Sequence, residues 1–184
     1  MKSTVLRGKK VVLRSLKLSD AARFCQWLAD PEVTKFLDMY NQPALTLAAE
    51  RKWITQQRQR KDIITFAIDT IDGTHIGSVA LRHITSPHRH ASYGIMIGDK
   101  KYWGQGYGTE AGKLIIDYGF RKLKLHRIYL YVIAYNIRGQ KSYEKIGFKV
   151  EGRFREHLLV DGQYHDRVVM GILKNEYLKK QNNK

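Results

Sequence analysis

The chain has one cysteine, three prolines and no long apolar run in its 184 residues. A lone Cys25 excludes an intrachain disulfide and a thiolate metal site, and makes a reducing, cytoplasmic setting the default. No stretch approaches the ~18 apolar residues of a membrane span. Arg7, Lys9 and Lys10 interrupt the N-terminus too early for a signal peptide. No repeat, low-complexity tract or Pro/Gly-rich linker divides the sequence, and 43% of it is hydrophobic. One domain over 1–178 with its own core is therefore expected, followed by a short, frayed polar tail over 179–184. Acidic residues are also scarce: 33 Lys and Arg stand against 17 Asp and Glu, a net charge of +16. Such a balance attracts polyanions such as nucleic acid, ribosomes or phosphate-rich cofactors. The basic residues are scattered, however, which equally describes a solvated lysine surface.

What is present is a clear alternation of strand and helix signals. Val11–Arg14 reads as a first strand. Ser19 is placed to cap a helix carrying Ala22, Phe24, Trp27 and Leu28, which stops before Pro31. Thr46 caps a second helix through Trp53 and Ile54 to about Gln59. Ile63–Ile68 and His75–Leu81 are strands around an Asp72-Gly73 turn, and Ala91–Ile97 is another. A third helix spans Thr109 to about Lys122. Ile128–Ile133, apolar and aromatic throughout, suits a buried central strand. A helix over Arg138–Ile146 ends at Gly147. Strands around Phe148–Glu151 with Phe154–Val160, then His165–Leu173, are joined by Asp161-Gly162. The order β-α-α-β-β-β-α-β-α-β-β, with a β-α-β crossover between hairpins, predicts an α/β fold on a mixed sheet.

The most informative stretch is Tyr102-Trp103-Gly104-Gln105-Gly106-Tyr107-Gly108-Thr109-Glu110-Ala111. Three alternating glycines open into a helix, where unpaired backbone N–H groups and the positive end of the dipole suit a pyrophosphate. A nucleoside triphosphate loop would need Gly-Lys-Ser/Thr, and Gly108 is followed by Thr109-Glu110. A dinucleotide fingerprint would need Gly-x-Gly-x-x-Gly and an acidic residue ending the next strand. The spacing here is Gly-x-Gly-x-Gly, and that strand exits through Ala134-Tyr135-Asn136.

The loop Gln105–Thr109, with the downstream Asn136-Ile137-Arg138-Gly139-Gln140-Lys141-Ser142-Tyr143-Glu144-Lys145-Ile146-Gly147-Phe148, resembles the GCN5-related N-acetyltransferase (GNAT) superfamily over nearly the whole chain. Glu151–Glu156 and Asp161–Asp166 are similar to the branch of ribosomal-protein N-terminal acetyltransferases. The resemblance implies an acyl-CoA N-acyltransferase fold and acetyl-CoA as co-substrate, with no metal. It assigns the phosphates to Gln105, Gly106, Tyr107, Gly108 and Thr109, and the pantetheine arm to backbone groups of Ile95 and Ile97 on a strand that splays from its neighbour. Asn136 would bond the pantetheine or phosphate region, against the plainer role of a strand-end cap. Many members begin the loop with Arg or Gln; Trp103 stands there, so backbone donors and nearby lysines would carry the phosphates.

Acetyl transfer needs the thioester held, its carbonyl polarised, the amine neutral and the thiolate protonated. Tyr143 matches the superfamily's tyrosine acid, and a phenol with a pKa near ~10 stays protonated at neutral pH. Ser142 is a second candidate to contact the sulfur. No base has supporting spacing: Ser92 stands where many relatives carry a glutamate, Glu32, Asp38, His83 and His157 are bare candidates, and His126 is expected to start the central strand. The acceptor pocket is expected from Phe36-Leu37-Asp38-Met39-Tyr40 and the hairpin near Tyr164. Deprotonating an α-amino group near pH 7.5 costs a few tenths of a kcal/mol, against about 4 kcal/mol for an alkyl amine near ~10.4. With no strong base and a basic surface, the favoured acceptor is the N-terminal amine of a ribosomal or other protein, with ribosome association implied. The alternatives are a small amine such as a polyamine or amino sugar, or a non-catalytic CoA- or RNA-binding domain, although no RNA-module signature is present. A monomer or homodimer is expected.

Overall fold

A computed structural model describes residues 4–37 and 45–182. Eight strands form one sheet in the order β1-β2-β3-β4-β5-β6-β8-β7. They are β1 (Leu6–Arg7), β2 (Val11–Ser15), β3 (Ile64–Thr70), β4 (His75–Arg82), β5 (His90–Ile97), β6 (Arg127–Ile133), β7 (Lys149–Val160) and β8 (Gln163–Leu173). The helices are α1 (Ala21–Leu28), α2 (Pro31–Thr34), α3 (Leu47–Gln59), α4 (Tyr107–Arg121), α5 (Ile137–Ile146) and α6 (Lys174–Asn182). Every neighbouring pair is antiparallel except β5 and β6. A parallel pair cannot be closed by a hairpin, and α4 supplies the crossover.

Side-chain alternation divides the sheet between two cores. On one face Tyr93 of β5 and Ile128, Leu130 and Val132 of β6 pack against Ala111, Ile115, Ile116 and Phe120 of α4. On the other, Ala67 of β3 and the half-buried Met96 of β5 meet Phe24 and Trp27 of α1 and Ile54 of α3. Gly98, just past β5, makes room for this second layer: a Cβ there would lie 2.1 Å from the Trp27 ring.

The expected strands and the mixed sheet are present, with informative differences. Thr46 caps α3 as expected, its Oγ1 accepting from Ala49 N–H at 3.2 Å. Ser19 does not open α1 but lies within a 3₁₀ turn over Leu18–Asp20. There Asp20 accepts from Lys17 N–H at 2.8 Å and from both terminal guanidinium nitrogens of Arg14 at 2.8 and 2.9 Å. Local capping preference loses to a buried ion pair. The two expected pieces around Phe148–Val160 form the single strand β7, kept continuous by bulges at Val150/Gly152 and Phe154/Leu158. The short β1 and α2 were not expected.

The tail expectation is corrected: α6 continues through Asn182. Its anchor is Tyr177, buried and 5.3 Å from the Phe120 ring, with Glu176 paired to Lys149 at 2.6 Å. Sequence polarity there hides one aromatic that reaches the core.

Arg14 also bonds Asp69 at 2.6 Å, so one guanidinium serves two largely buried carboxylates. Burial alone would raise the pKa of Asp20, but the bonds from Arg14 and from Lys17 N–H outweigh it and hold the carboxyl below its usual value. A carboxylate depressed in the folded state stabilises above its unfolded pKa and ceases to as pH falls through the folded one. Arg14→Ala should therefore destabilise by about 3–5 kcal/mol at pH 7 by stranding buried charge. The deficit relative to wild type should shrink below about pH 4 as the stranded carboxylates protonate, as urea titrations across pH would measure.

Candidate active site

The site begins where two strands part. β5 and β6 pair only at His90↔Arg127, Ala91↔Ile128 and Ser92↔Tyr129, although β5 runs on to Ile97 and β6 to Ile133. Past Ser92, β5 is held on one side by β4, in register to Gly77↔Ile97. Gly98 N–H donates to Ile76 C=O of β4 at 2.9 Å. Peptide groups alternate in direction along a strand, so those of Ile95 and Ile97 turn the other way, into the gap. The Ile97 carbonyl is met there by the Trp103 indole, whose Nε1–H donates to it at 2.7 Å. Trp103 thus braces the loop against the splayed strand.

The gap opens into a cleft of about 350 Å³, within the range of small-molecule sites. The glycine loop forms one wall. Gly104 and Gly106 have φ of +73° and +87°, and a Cβ at either would meet nothing within 4 Å. Their requirement is conformational, since the left-handed region disfavours any residue with a Cβ. Gly106 is the N-cap of α4 and no side chain caps the helix. The first intrahelical bond is from Glu110 N–H to Gly106 C=O, which leaves the N–H groups of Tyr107, Gly108 and Thr109 as the open donors of the first turn. The helix begins two residues earlier than expected because these glycines complete the bend.

α5 forms the opposite wall. Asn136 Oδ1 accepts from Gly139 N–H at 2.9 Å, so this buried side chain is an N-cap. Ser142 Oγ and Thr109 Oγ1 share a 2.8 Å hydrogen bond that ties α5 to the start of α4. Tyr143 lies one residue further, its ring edge-on to Tyr93 at 5.8 Å. Burial pushes its phenol up to about 12, against a smaller opposing pull from Arg138. The Arg138 guanidinium stacks on the Trp103 ring at 3.9 Å and faces Phe36 at 5.6 Å. Desolvation lowers its pKa. Tyr135 ties the same end shut, its hydroxyl donating to Lys35 C=O at 3.2 Å.

Of the residues expected at the site, Ile95, Ile97, Gly106, Gly108, Thr109, Asn136, Ser142 and Tyr143 line one cleft. Gln105 and Tyr107 do not line it. The Gln105 amide turns back to donate to Lys101 C=O, and Tyr107 packs edge-on against Tyr102 at 5.1 Å. What either offers a ligand is backbone. Phe36 and Leu37 line the cleft as expected for the acceptor side, whereas Tyr164 is exposed on the β7–β8 hairpin and away from it. Asp38, Met39 and Tyr40 lie outside the described residues.

Among the described residues, no carboxylate or imidazole lines the cleft. Glu32 is paired with Lys100, His83 Nδ1 is 3.1 Å from Ser92 Oγ, and the His157 ring packs on Phe154 at 5.2 Å. His126 has the structural place expected, its N–H and C=O bonding Arg89 and Lys174. No group of three or more metal-ligating side chains occurs among the described residues, and no helix there is long and apolar enough to cross a membrane. The cations on the walls, Arg138, Lys141 and Lys145, suit a phosphate-bearing ligand. Sequence reasoning missed Trp103 as the brace and Arg138 as the cation stacked on it. Both lie inside the quoted stretches; the partner of Trp103 is six residues away, whereas Arg138 stacks on residues distant in sequence.

A splayed parallel pair, a glycine loop opening a helix and a tyrosine on the facing helix define an acyltransferase scaffold. The chain belongs to the acetyltransferase (GNAT) domain family, whose profile matches residues 10–149. It is 36% identical over 127 residues to the spermidine N(1)-acetyltransferase of Escherichia coli K12, covering 69% of this chain and 65% of that protein. The chain therefore aligns with somewhat less than two thirds of that relative. The putative ribosomal N-acetyltransferase YdaF of Bacillus subtilis is 29% identical over 166 residues, 90% of this chain and 86% of that protein. Among solved structures, the spermidine N-acetyltransferase of Vibrio cholerae in complex with CoA and spermine superposes with a TM-score of 0.85 at 26% identity, covering 93% of this chain and 99% of that one.

Gly106→Ala should weaken CoA binding by about tenfold. The methyl group meets no atom, but the left-handed conformation costs about 1–2 kcal/mol and the first-turn amides move. Titration calorimetry with CoA would read this; unchanged affinity would remove the loop from the ligand's path.

Proposed function

We propose that this chain transfers the acetyl group of acetyl-CoA directly to a primary amine, and that the acceptor is a small amine of the polyamine class. The carrying observation is the gap between β5 and β6 opening onto the glycine loop, with Tyr143 on its far wall. Spermidine acetyltransferases among the relatives favour the polyamine over the protein N-terminus expected from the sequence. The earlier preference rested on amine pKa and bulk charge, and neither senses the shape of a pocket.

The residues divide the chemistry as follows. First-turn amides of α4 and the wall cations hold the phosphates. The outward-turned peptide groups of Ile95 and Ile97 bond the pantetheine arm, and a backbone N–H there polarises the thioester carbonyl. The neutral amine attacks the carbonyl carbon, the C–S bond breaks, and the thiolate takes the Tyr143 proton. The amine's surplus proton leaves to solvent, and water re-protonates the phenolate. Asn136 fixes the start of α5, and Ser142 holds Thr109, so Ser142 acts on the loop more directly than on sulfur.

One observation favours the second reading, a protein N-terminal amine with the ribosome association it implies. Arg138, Lys141 and Lys145 line the cleft without a described carboxylate among them, which disfavours a polycation unless bound phosphates absorb their charge.

Thiol release from acetyl-CoA with spermidine, with free-N-terminus peptides and without acceptor decides between them. Faster release with spermidine is expected; faster release with peptides would reverse the assignment, and none with either would overturn both. Tyr143→Phe should lower kcat about a hundredfold, the lower range of general-acid contributions, with CoA affinity retained. With Tyr143 at about 12, the acid stays protonated below pH 11. With no base among the described residues of the cleft, kcat/KM for spermidine should climb about tenfold per pH unit towards ~10, whereas an α-amino acceptor would level off near ~8.

A further inference from the structure

Glu110 stands in the first turn of α4, beside the donors assigned to the pyrophosphate. A carboxylate there favours the helix dipole, yet it also repels an incoming phosphate. The structure shows where its charge is spent. Oε1 accepts from Lys9 N–H at 3.0 Å, and Oε2 from Lys10 N–H at 2.7 Å and Val11 N–H at 3.0 Å. Three consecutive amides of the β1–β2 turn converge on one carboxylate a hundred residues away in sequence. Gly8 completes the fit, since a Cβ there would lie 2.8 Å from Glu110 Cδ. The link is closed from the other side. Lys10 Nζ donates to Gln105 C=O at 3.0 Å and lies over the Tyr107 ring at 5.5 Å. The glycine loop, the first turn of α4 and the β1–β2 turn are thus joined in a ring of hydrogen bonds with Gln105–Glu110 on one side and Gly8–Val11 on the other.

We infer that Glu110 is a positioning residue for acetyl-CoA. By clamping the β1–β2 turn it fixes the orientation of the Tyr107–Thr109 amides and holds Lys10 against the loop. This rests on the acetyl-CoA reading above and deepens it, because it names what keeps a loop with two left-handed glycines in one conformation. The three amides engage both carboxylate oxygens on the side of the β1–β2 turn, so the phosphate meets an oriented loop. Glu110 touches no reacting atom and acts through the loop.

Two physical effects predict opposite signs for Glu110→Gln. Removing the charge near a phosphate site would tighten CoA binding if electrostatic repulsion dominated. If clamping dominates, binding weakens, because an amide places its own NH₂ against N–H donors. We expect a weaker complex: Kd for CoA and KM for acetyl-CoA up about tenfold, in line with lost charge-assisted bonds, with kcat within about twofold. S-acetylpantetheine, which lacks the pyrophosphate, should react equally well with wild type and variant; a merely structural defect would slow both donors alike. Gly8→Ala tests the clamp with Glu110 intact. It should weaken CoA binding similarly, and should add nothing in a Glu110→Ala background. Unchanged or tighter CoA binding by folded Glu110→Gln overturns the inference, as does equal loss with both donors. Wild-type protein that fails to bind CoA at all would instead overturn the acetyl-CoA reading on which it rests.

Discussion

The arrangement depends on a parallel strand pair that stops pairing after three residues. A sheet edge inside a protein is costly because its N–H and C=O groups need partners. Here β5 keeps its bonds to β4 as far as Gly98 but loses β6 beyond Ser92. The Trp103 indole meets one carbonyl so exposed. The others face a cleft of a size that admits an amide-rich chain, and a pantetheine arm offers the same donors and acceptors as a missing strand. The two helices are consequences of the same split. α4 bridges the parallel pair, so its start lies at the mouth of the gap, and α5 follows the far strand as it leaves.

Rigidity on the two walls has different sources. On the α5 wall Asn136 caps its own helix, and Ser142 ties that helix across to Thr109. In the glycine wall Gly104 and Gly106 border open space, and glycine loses more conformational freedom on ordering than any other residue. The order of this wall comes from the short-range bonds of Trp103 and Gln105 and from the distant contacts of Glu110, Lys10 and Ser142. That division also explains why Gln105 and Tyr107 turn away from the cleft. Their side chains fasten the loop from behind, leaving only backbone on the ligand side.

What the sequence made legible is what is local. Strands with regular alternation, the Thr46 cap, the Gly147 stop and the glycine loop are encoded within a few residues, and the structure has each of them. Eight of the ten residues expected at the site line one cleft, because the two signatures open the two helices that wall it. The remainder depends on distant partners. Nothing near Glu110 announces the β1–β2 turn, and nothing near Arg138 announces Phe36. Ser19 was the better cap by local preference, yet Asp20 was claimed by Arg14. α6 is polar apart from Tyr177, which reaches Phe120, and its neighbour Leu178. The acceptor was least legible, since its determinants are charge and shape across the cleft rather than a spacing along the chain.

If Tyr143 is the acid, as proposed above, its raised pKa bears on how the reaction finishes. A phenol at about 12 is a poor acid towards a solvated thiolate near ~8.5: the mismatch is about 3–4 units, or roughly 5 kcal/mol. The same desolvation that weakens the acid also strengthens the base, because a thiolate released into a dry cleft loses its own hydration. The two pKa values approach each other only while water is excluded. On the proposed role of Tyr143, proton transfer to the thiolate is favoured when water is excluded from the acceptor end as the C–S bond breaks. The groups at that end are Phe36, Tyr135 and Arg138 stacked on Trp103. On that reading a bound amine that covers these groups supplies the nucleophile and also helps to exclude water from the leaving group. Acceptor choice and catalytic power then rest on the same contacts, so an amine that fits loosely would be acetylated slowly even at saturation.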